Sequence, residues 1–246
     1  MKTVTKVMSD GTKIVYDEYG NDQLKTVFLL HGNGSSAHYF KRQLPSYTAY
    51  FHVIAIDSRG HGRSTNTKKS IDMADVIRDI DELRRELSID KIIIVGYSDG
   101  ANIALKYAVE NQNHVSRMVL NAPNVTADGV YRILWWGDAI ARFGTELFSP
   151  ISQKARRRHM QLHVMSEPLN ITRAQLKVLT IPILFVIGQF DIVKRQHIES
   201  ISKIMPVAKV MILRGHGHFV TYTNPRKFAQ LITPFLSLIH ISEPTR

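Results

Sequence analysis

Ser98 is the residue whose surroundings in the sequence predict chemistry most clearly. It is the middle residue of a G-Y-S-D-G segment, residues 96–100. The β-branched run 92–95 before it predicts a buried strand, and residues 101–109 after it place apolar side chains on one face of a helix. A tight turn between a strand and a helix presents a serine hydroxyl as a nucleophile, and flanking glycines avoid clashes there. The sequence therefore predicts a serine nucleophile for acyl transfer.

Other polar residues stand at the ends of predicted strands in the same way. These residues are His31, Asp57 and Asn121, and the apolar runs before them cover residues 26–30, 52–56 and 115–120. Helical segments at 37–47 and 71–87 lie between the runs, so the alternation predicts a mostly parallel sheet with helices on both faces. Ligands of such sheets bind beyond the carboxyl ends of the strands. We therefore expect the polar residues to lie near Ser98.

Both ends of the chain are predicted to extend this sheet. Residues 4–7 and 13–19, joined by a turn at 9–11, predict an antiparallel pair of strands at one edge. The parallel pattern resumes after residue 180. Its predicted elements are a strand at 183–187, a helix at 195–204, a strand at 209–213, a turn at 214–218 and a last helix that starts at Pro225.

Residues 125–180 interrupt the alternation and contain no clear strand pattern. We interpret them as a small helical cap inserted into a core made of residues 1–124 and 181–235. Trp135 and Trp136 either line a substrate pocket or bury the cap against the core. A histidine pair in this segment, at positions 159 and 163, has helical spacing but lacks the glutamate of a zinc protease motif, so we predict no metal site.

The last eleven residues, 236–246, read LSLIHISEPTR and do not continue the amphipathic pattern before them. They resemble the translation of a transposase adapter from a sequencing library, so we leave them out of functional reasoning. The alternative is a genuine last helical turn with a polar tail.

Composition limits the function classes. The 246 residues carry 32 Lys and Arg against 21 Asp and Glu, a formal net charge of +11, but the basic residues are mostly scattered. No nucleic-acid motif accompanies them, so we predict no nucleic-acid partner. The chain has no cysteine, which excludes disulfides and thiol catalysis. We expect a cytoplasmic protein because no secretory signal pattern and no apolar run of membrane-spanning length is present.

Several motifs in order resemble those of the α/β-hydrolase superfamily, over about residues 10–235. The motifs are H-G-x-G at 31–34, D-x-R-G-x-G-x-S at 57–64, the segment around Ser98, an acid after a late strand and a histidine before the final helix. The resemblance implies an α/β-hydrolase fold and a hydrolase that needs no cofactor.

The same resemblance implies a catalytic triad in the order serine, acid, histidine. In this chain the order gives Ser98, Asp191 and His218. Asp128 is the alternative acid, because some members place the acid after the preceding strand. His216 is the alternative base, but the family pattern favours His218, which a proline follows seven residues later at the start of the last helix.

The resemblance also implies an oxyanion hole made of the backbone amides of Asn33 and Asp99. His31, Asp57 and Arg59 are interpreted as residues that brace the loops. The Asp99 side chain suggests a preference for esters or amides that carry a nearby positive charge. The alternative is that this carboxylate turns away into hydrogen bonds.

We therefore predict a serine hydrolase that cleaves a small or medium carboxylic ester through an acyl-enzyme. Related dehalogenases and epoxide hydrolases carry aspartate as the nucleophile, but using Asp99 in that role would place bulky Tyr97 where a small residue is needed. The alternatives are another hydrolase on the same triad, such as a thioesterase, aminopeptidase, lactonase or carbon–carbon bond hydrolase, and a ligand-binding receptor with little turnover. The fold and triad do not distinguish these substrates.

Overall fold

The computed structural model describes residues 1–131, 133–166 and 168–237, and an eight-stranded sheet runs through them. The strands are β1 (Lys2–Val7), β2 (Lys13–Tyr19), β3 (Thr26–Leu30), β4 (His52–Asp57), β5 (Ile92–Tyr97), β6 (Val115–Asn121), β7 (Ile183–Phe190) and β8 (Ala208–Gly217). Their order in the sheet is β1-β2-β4-β3-β5-β6-β7-β8. β1 and β2 form the predicted antiparallel edge, and the other six strands are parallel. The predicted sheet type is confirmed.

The strand register aligns the carboxyl ends of the central strands at one edge. Leu30 of β3 pairs with Ile56 of β4 and with Gly96 of β5, while Tyr97 pairs with Asn121 of β6. β3 and β5 are buried along their whole length, as expected for strands covered on both faces. The loops that follow these strands therefore emerge side by side.

Helices cover both faces of this sheet. They are α1 (Leu44–Thr48), α2 (Met73–Glu86), α3 (Asp99–Asn111), α4 (Ile133–Phe148), α5 (Gln153–Ser166), α6 (Arg173–Lys177), α7 (Arg195–Ser202), α8 (Val220–Thr223) and α9 (Pro225–Ser237). Buried residues of α2, α3 and α7 share one hydrophobic cluster, and those of α1 and α9 share the cluster on the opposite face. The two clusters hold the sheet rigidly between them.

Two predicted elements are wrong in detail. The continuous helix expected over 37–47 is split into a short 3-10 helix, Ala37–Phe40, and α1. Pro45 in the first turn of α1 lacks a backbone N–H, and in a continuous helix its ring would clash with the carbonyl four residues before it, so the helix is interrupted just before α1. The turn expected at 214–218 is largely strand, because β8 continues to Gly217 and pairs there with Phe190 of an equally extended β7.

The segment 125–180 contains α4, α5 and α6, all between β6 and β7. α4 and α5 lie side by side, with Thr145 Oγ1 3.4 Å from His159 Nδ1. Leu236, near the end of α9, is buried in the core. Residues 238–246 lie outside the described part of the chain, so the adapter origin of residues 236–246 stays a prediction. None of the helices that the structure describes has the length and apolar character of a membrane span.

Candidate active site

Ser98 forms a strained turn between β5 and α3. Its backbone has φ 52° and ψ −117°, a region that non-glycine residues adopt only when the surroundings impose it. The Ser98 N–H donates a hydrogen bond of 2.9 Å to the Asn121 carbonyl, and the Ser98 carbonyl accepts from the first turn of α3. These contacts from both sides fix the turn and raise the hydroxyl above the sheet edge.

The two glycines of the turn allow a close approach of backbones. A Cβ on Gly100 would collide with backbone atoms of Leu30 and His31, and a Cβ on Gly96 would lie 2.6 Å from the Ala101 Cα. Both positions therefore require glycine for steric reasons.

Three of the predicted residues come together at this turn. His218 Nε2 lies 3.2 Å from Ser98 Oγ, and His218 Nδ1 lies 2.7 Å from Asp191 Oδ1. The Asp191 carboxylate also accepts from two backbone amides, those of Val193 at 3.1 Å and Gly188 at 3.2 Å. His218 and Asp191 are buried, whereas Ser98 is partly exposed. The order of contacts is that of a nucleophile, a base and an orienting acid.

The sheet brings this acid and this histidine together. Asp191 directly follows β7 and His218 directly follows β8, and the last pair between the two strands is Phe190 with Gly217. The extension of β7 and β8 beyond their predicted ends therefore places the two side chains opposite each other.

The two alternative residues lie elsewhere. His216 is part of β8, and the histidine within hydrogen-bond distance of Ser98 Oγ is His218. Asp128 lies in a short 3-10 helix, and its carbonyl accepts a hydrogen bond of 2.9 Å from Lys194 Nζ. The carboxylate that contacts His218 is that of Asp191.

The two predicted oxyanion donors flank Ser98. Asn33 lies in the loop after β3, and a Cβ on the neighbouring Gly32 would lie 3.3 Å from Ser98 Cβ. Asp99 is the first residue of α3, so its amide stands at a helix N-terminus, where backbone N–H groups favour negative charge.

Two further site predictions concern the Asp99 side chain and the pair Trp135 and Trp136. Asp99 is partly exposed, and its Oδ1 lies 3.5 Å from Nδ2 of Asn102 in the same helix, so hydrogen bonds to the cap or to a neighbouring loop stay the alternative. Its preference for cationic substrates stays a prediction. The side chains of Trp135 and Trp136 lie outside the described part of the structure, so their assignment to a substrate pocket also stays a prediction.

Buried polar residues brace the loops around the site. His31 Nδ1 donates to the Gly32 carbonyl at 2.8 Å, and His31 Nε2 accepts from the Ser58 amide at 3.1 Å. Burial lowers the pKa of His31, and burial also lowers the pKa of His61, to about 3. Both rings are therefore neutral at neutral pH.

Asp57 and Arg59 hold the second loop. Asp57 accepts from the amide of Ala37 at 2.6 Å and from Arg63, while the buried Arg59 forms a two-point pair with Asp79 at 2.8 and 2.6 Å. These contacts support the sequence-based interpretation that the two residues are structural.

The sequence did not predict a link between α5 and the Asn33 loop. Asn33 Nδ2 donates to the Gln161 carbonyl at 2.6 Å, and Arg158 Nη1 donates to Asn33 Oδ1 at 2.8 Å. Arg157 and the Gln161 side chain donate to the Gly60 carbonyl, each at 2.9 Å. The run of arginines at 156–158 is visible in the sequence, but nothing in the sequence says which loop it contacts.

The sequence also did not predict an aromatic stack behind the histidine. The Tyr39 and Tyr97 rings stack with centroids 4.6 Å apart at 12°, and Tyr97 lies 5.3 Å from the His218 ring. Tyr39 is hydrogen-bonded to Thr221, and burial raises the pKa of Tyr39 to about 12. Burial also raises the pKa of Tyr97, so both hydroxyls are neutral at neutral pH, and the Tyr97 ring packs against His218.

Comparison with known proteins places this geometry in context. A Bacillus subtilis (strain 168) protein named as a candidate 2-succinyl-6-hydroxy-2,4-cyclohexadiene-1-carboxylate synthase is 23% identical over 278 residues, covering 97% of this chain and all of that protein. Mouse epoxide hydrolase 3 is 24% identical over 282 residues, covering 95% of this chain and 76% of that protein. The structure of a thermophilic esterase from Thermogutta terrifontis superposes with a TM-score of 0.80 at 19% identity, covering 96% of this chain and 98% of the other.

A family model described as alpha/beta hydrolase fold matches residues 25–170, which include the β3 loop, the Ser98 turn and most of the segment between β6 and β7. That match spans more than half of the chain. The chain belongs to the alpha/beta hydrolase fold family.

Proposed function

We propose that this protein is a serine hydrolase that cleaves a small or medium carboxylic ester through an acyl-enzyme, with no cofactor. The observation that supports this most is the continuous contact from Ser98 Oγ to His218 to Asp191, at 3.2 and 2.7 Å, in a strained turn at the sheet edge. A strained backbone conformation persists only where the surrounding structure imposes it, and such residues are common at functional sites.

The first half of the reaction forms the acyl-enzyme. Ser98 Oγ attacks the ester carbonyl while His218 Nε2 takes the hydroxyl proton. Asp191 accepts from Nδ1–H of His218, which fixes the tautomer that has a lone pair on Nε2, and stabilises the imidazolium that forms. The same Nε2 then protonates the leaving alkoxide, so the alcohol departs and the acyl group stays on Ser98.

The second half repeats these steps with water as the nucleophile. His218 removes a proton from water, the hydroxide attacks the acyl carbon, and Ser98 Oγ leaves with the proton from His218. In both halves the carbonyl oxygen becomes negative and is met by the amides of Asn33 and Asp99. Each donor of this kind contributes roughly 3 to 4 kcal/mol to the transition state in other acyl-transfer enzymes.

The residue at the nucleophile position argues against the epoxide-opening chemistry named for one relative. Related enzymes of that type carry aspartate there, whereas this chain carries Ser98 with Tyr97 packed beneath the turn. Thioesters, lactones, amides and activated carbon–carbon bonds are all attacked by the same hydroxyl, so substrate class is a matter for measurement.

A turnover screen tests the proposal. The purified protein is offered p-nitrophenyl esters of increasing acyl length, acyl thioesters and amino-acid amides, with Ser98→Ala as the control. We expect turnover of short or medium esters that is lost in Ser98→Ala. Turnover of another class in the panel, lost in the same variant, would replace the ester assignment, and the absence of any Ser98-dependent turnover would favour a ligand-binding protein.

A further inference from the structure

Four large apolar side chains stand exposed together at the end of α4. The α4 patch consists of Phe143, Leu147, Phe148 and Ile151, which are 70%, 62%, 54% and 83% exposed. Three of them are spaced four residues apart, which places them on one side of the helix end and the turn after it. Single exposed apolar side chains are ordinary, but a contiguous group of four marks an interaction surface.

The patch is bordered by positive charge. Residues 141–166 contain five basic residues and one acidic residue. Lys154 and Arg156 are exposed at the start of α5, and Arg156 Nε lies 3.4 Å from the Ser149 carbonyl in the turn beside Phe148. Arg157 instead donates to the Gly60 and Gly62 carbonyls of the loop after β4. Arg156 therefore places a cation next to the apolar residues of the patch, and Lys154 adds an exposed positive charge at the same end of α5.

We propose that the α4 patch docks this protein onto an anionic lipid surface. Apolar side chains of an amphipathic element insert at the boundary between headgroups and acyl chains, and flanking Lys and Arg are attracted to anionic headgroups. A second copy of the chain is a poorer fit, because a symmetric contact would bring the basic surroundings of the two patches together. An anionic lipid surface satisfies both features of the patch.

α5 links the α4 patch to the loop beside the candidate active site. α5 carries Arg156 beside the α4 patch and, half a turn further, Arg158 on Asn33. The helix therefore connects the docking surface directly to the loop that flanks Ser98. The docking itself does not depend on catalysis, so its test is independent of the proposed hydrolase activity.

Vesicle co-sedimentation tests the proposal with the full chain. Vesicles of phosphatidylcholine, with and without phosphatidylglycerol, are mixed with wild type and with two double variants, Phe143→Ser/Leu147→Ser and Lys154→Glu/Arg156→Glu. The matched controls are Val178→Ser/Tyr50→Ser, two exposed apolar residues elsewhere, and Lys69→Glu/Lys203→Glu, which changes the charge equally. Thermal unfolding confirms that each variant is folded.

We expect wild type to bind anionic vesicles at least about fivefold more than neutral ones, and high salt to weaken that binding. Both patch variants should lose binding by about tenfold or more, and both controls should stay within about twofold of wild type. Equal loss in the controls, or no preference for anionic vesicles, would overturn the proposal. A dimer in solution that the Phe143→Ser/Leu147→Ser variant dissociates, without vesicle binding, would assign the patch to a second copy instead.

Discussion

Replacing Asp191 with asparagine tests the assignment of the acid in detail. The two carboxylate oxygens accept three N–H donors: His218 Nδ1 and the Val193 amide on Oδ1, and the Gly188 amide on Oδ2. An asparagine has one acceptor oxygen, so one orientation turns its NH₂ toward the Gly188 amide and the other turns it toward the Val193 amide. Each orientation leaves a buried donor unpaired, at a cost of about 1 to 3 kcal/mol.

The second orientation also changes the histidine. An NH₂ opposite His218 Nδ1 stabilises the tautomer whose proton is on Nε2, and that tautomer cannot accept a proton from Ser98. In both orientations the imidazolium loses its negative partner. We therefore expect Asp191→Asn to lower kcat by about 10⁴-fold, the drop measured for the equivalent change in a serine protease.

Steady-state kinetics on the best ester of the screen measures this effect, with Asp128→Asn as the matched control and urea unfolding to verify folding. The control should stay within about twofold of wild type, because the Asp128 carboxylate is not in contact with His218. If Asp191→Asn keeps more than a tenth of wild-type kcat, or if Asp128→Asn falls as far as Asp191→Asn, the assignment of the acid is refuted.

Three further predictions concern the link from α5, the turn and pH. Arg158→Ala should lower kcat about three- to tenfold with little change in KM, because Asn33 loses a charge-assisted hydrogen bond. The control Arg173→Ala, on the exposed α6, should have no effect. A change in KM alone would contradict a role of Arg158 in positioning Asn33. Gly100→Ala should lower the free energy of unfolding by roughly 3 kcal/mol or prevent folding. Gly144→Ala, whose added Cβ meets no atom within 4 Å, should instead stabilise α4 by about 0.5 to 1 kcal/mol in urea unfolding. Tolerance of Gly100→Ala would show that the turn is not as tight as described. The pKa of His61 is lowered from 6.5 to about 3. The neutral ring therefore contributes fully to the free energy of unfolding above pH 6.5, and this contribution is lost progressively as the pH falls toward 3. Near pH 5 this loss should be about 2 kcal/mol of the free energy of unfolding. His61→Phe should reduce the fall in unfolding free energy between pH 7 and pH 5 by that amount. An equal fall in both proteins would contradict a buried, neutral His61.

Much of the fold is readable from local pattern. The β-branched run before Ser98 and the spacing of apolar residues in α2 follow the periodicities of strand and helix, and the G-x-S-x-G turn follows from the need to avoid side chains at the crossing of backbones. β7 and β8 extend beyond their predicted ends because, apart from Phe190, the added residues are polar or glycine and lack an apolar strand pattern. Pairing across the ladder, rather than burial, holds those residues in strand conformation.

The site divides in the same way. Ser98, Asp191 and His218 follow predicted strands, and the order of motifs that the hydrolase resemblance implies predicts that the three come together. The contacts of Arg158 and Gln161 with the Asn33 loop depend on how α5 lies across the sheet edge, which no local pattern encodes. The Tyr39–Tyr97 stack likewise joins residues far apart in sequence. Long-range packing of this kind becomes visible only in the folded chain.

Covalent labelling of Ser98 tests the central claim most directly. The folded protein is treated with a fluorophosphonate, and the modified residue is identified by mass spectrometry of the intact protein and of its peptides. We expect one phosphonyl group per chain, on the peptide that contains Ser98, and no labelling of Ser98→Ala. We also expect much slower labelling of His218→Ala, because the hydroxyl then lacks its base. A folded wild-type protein that is not labelled, or is labelled at another residue, would contradict the account.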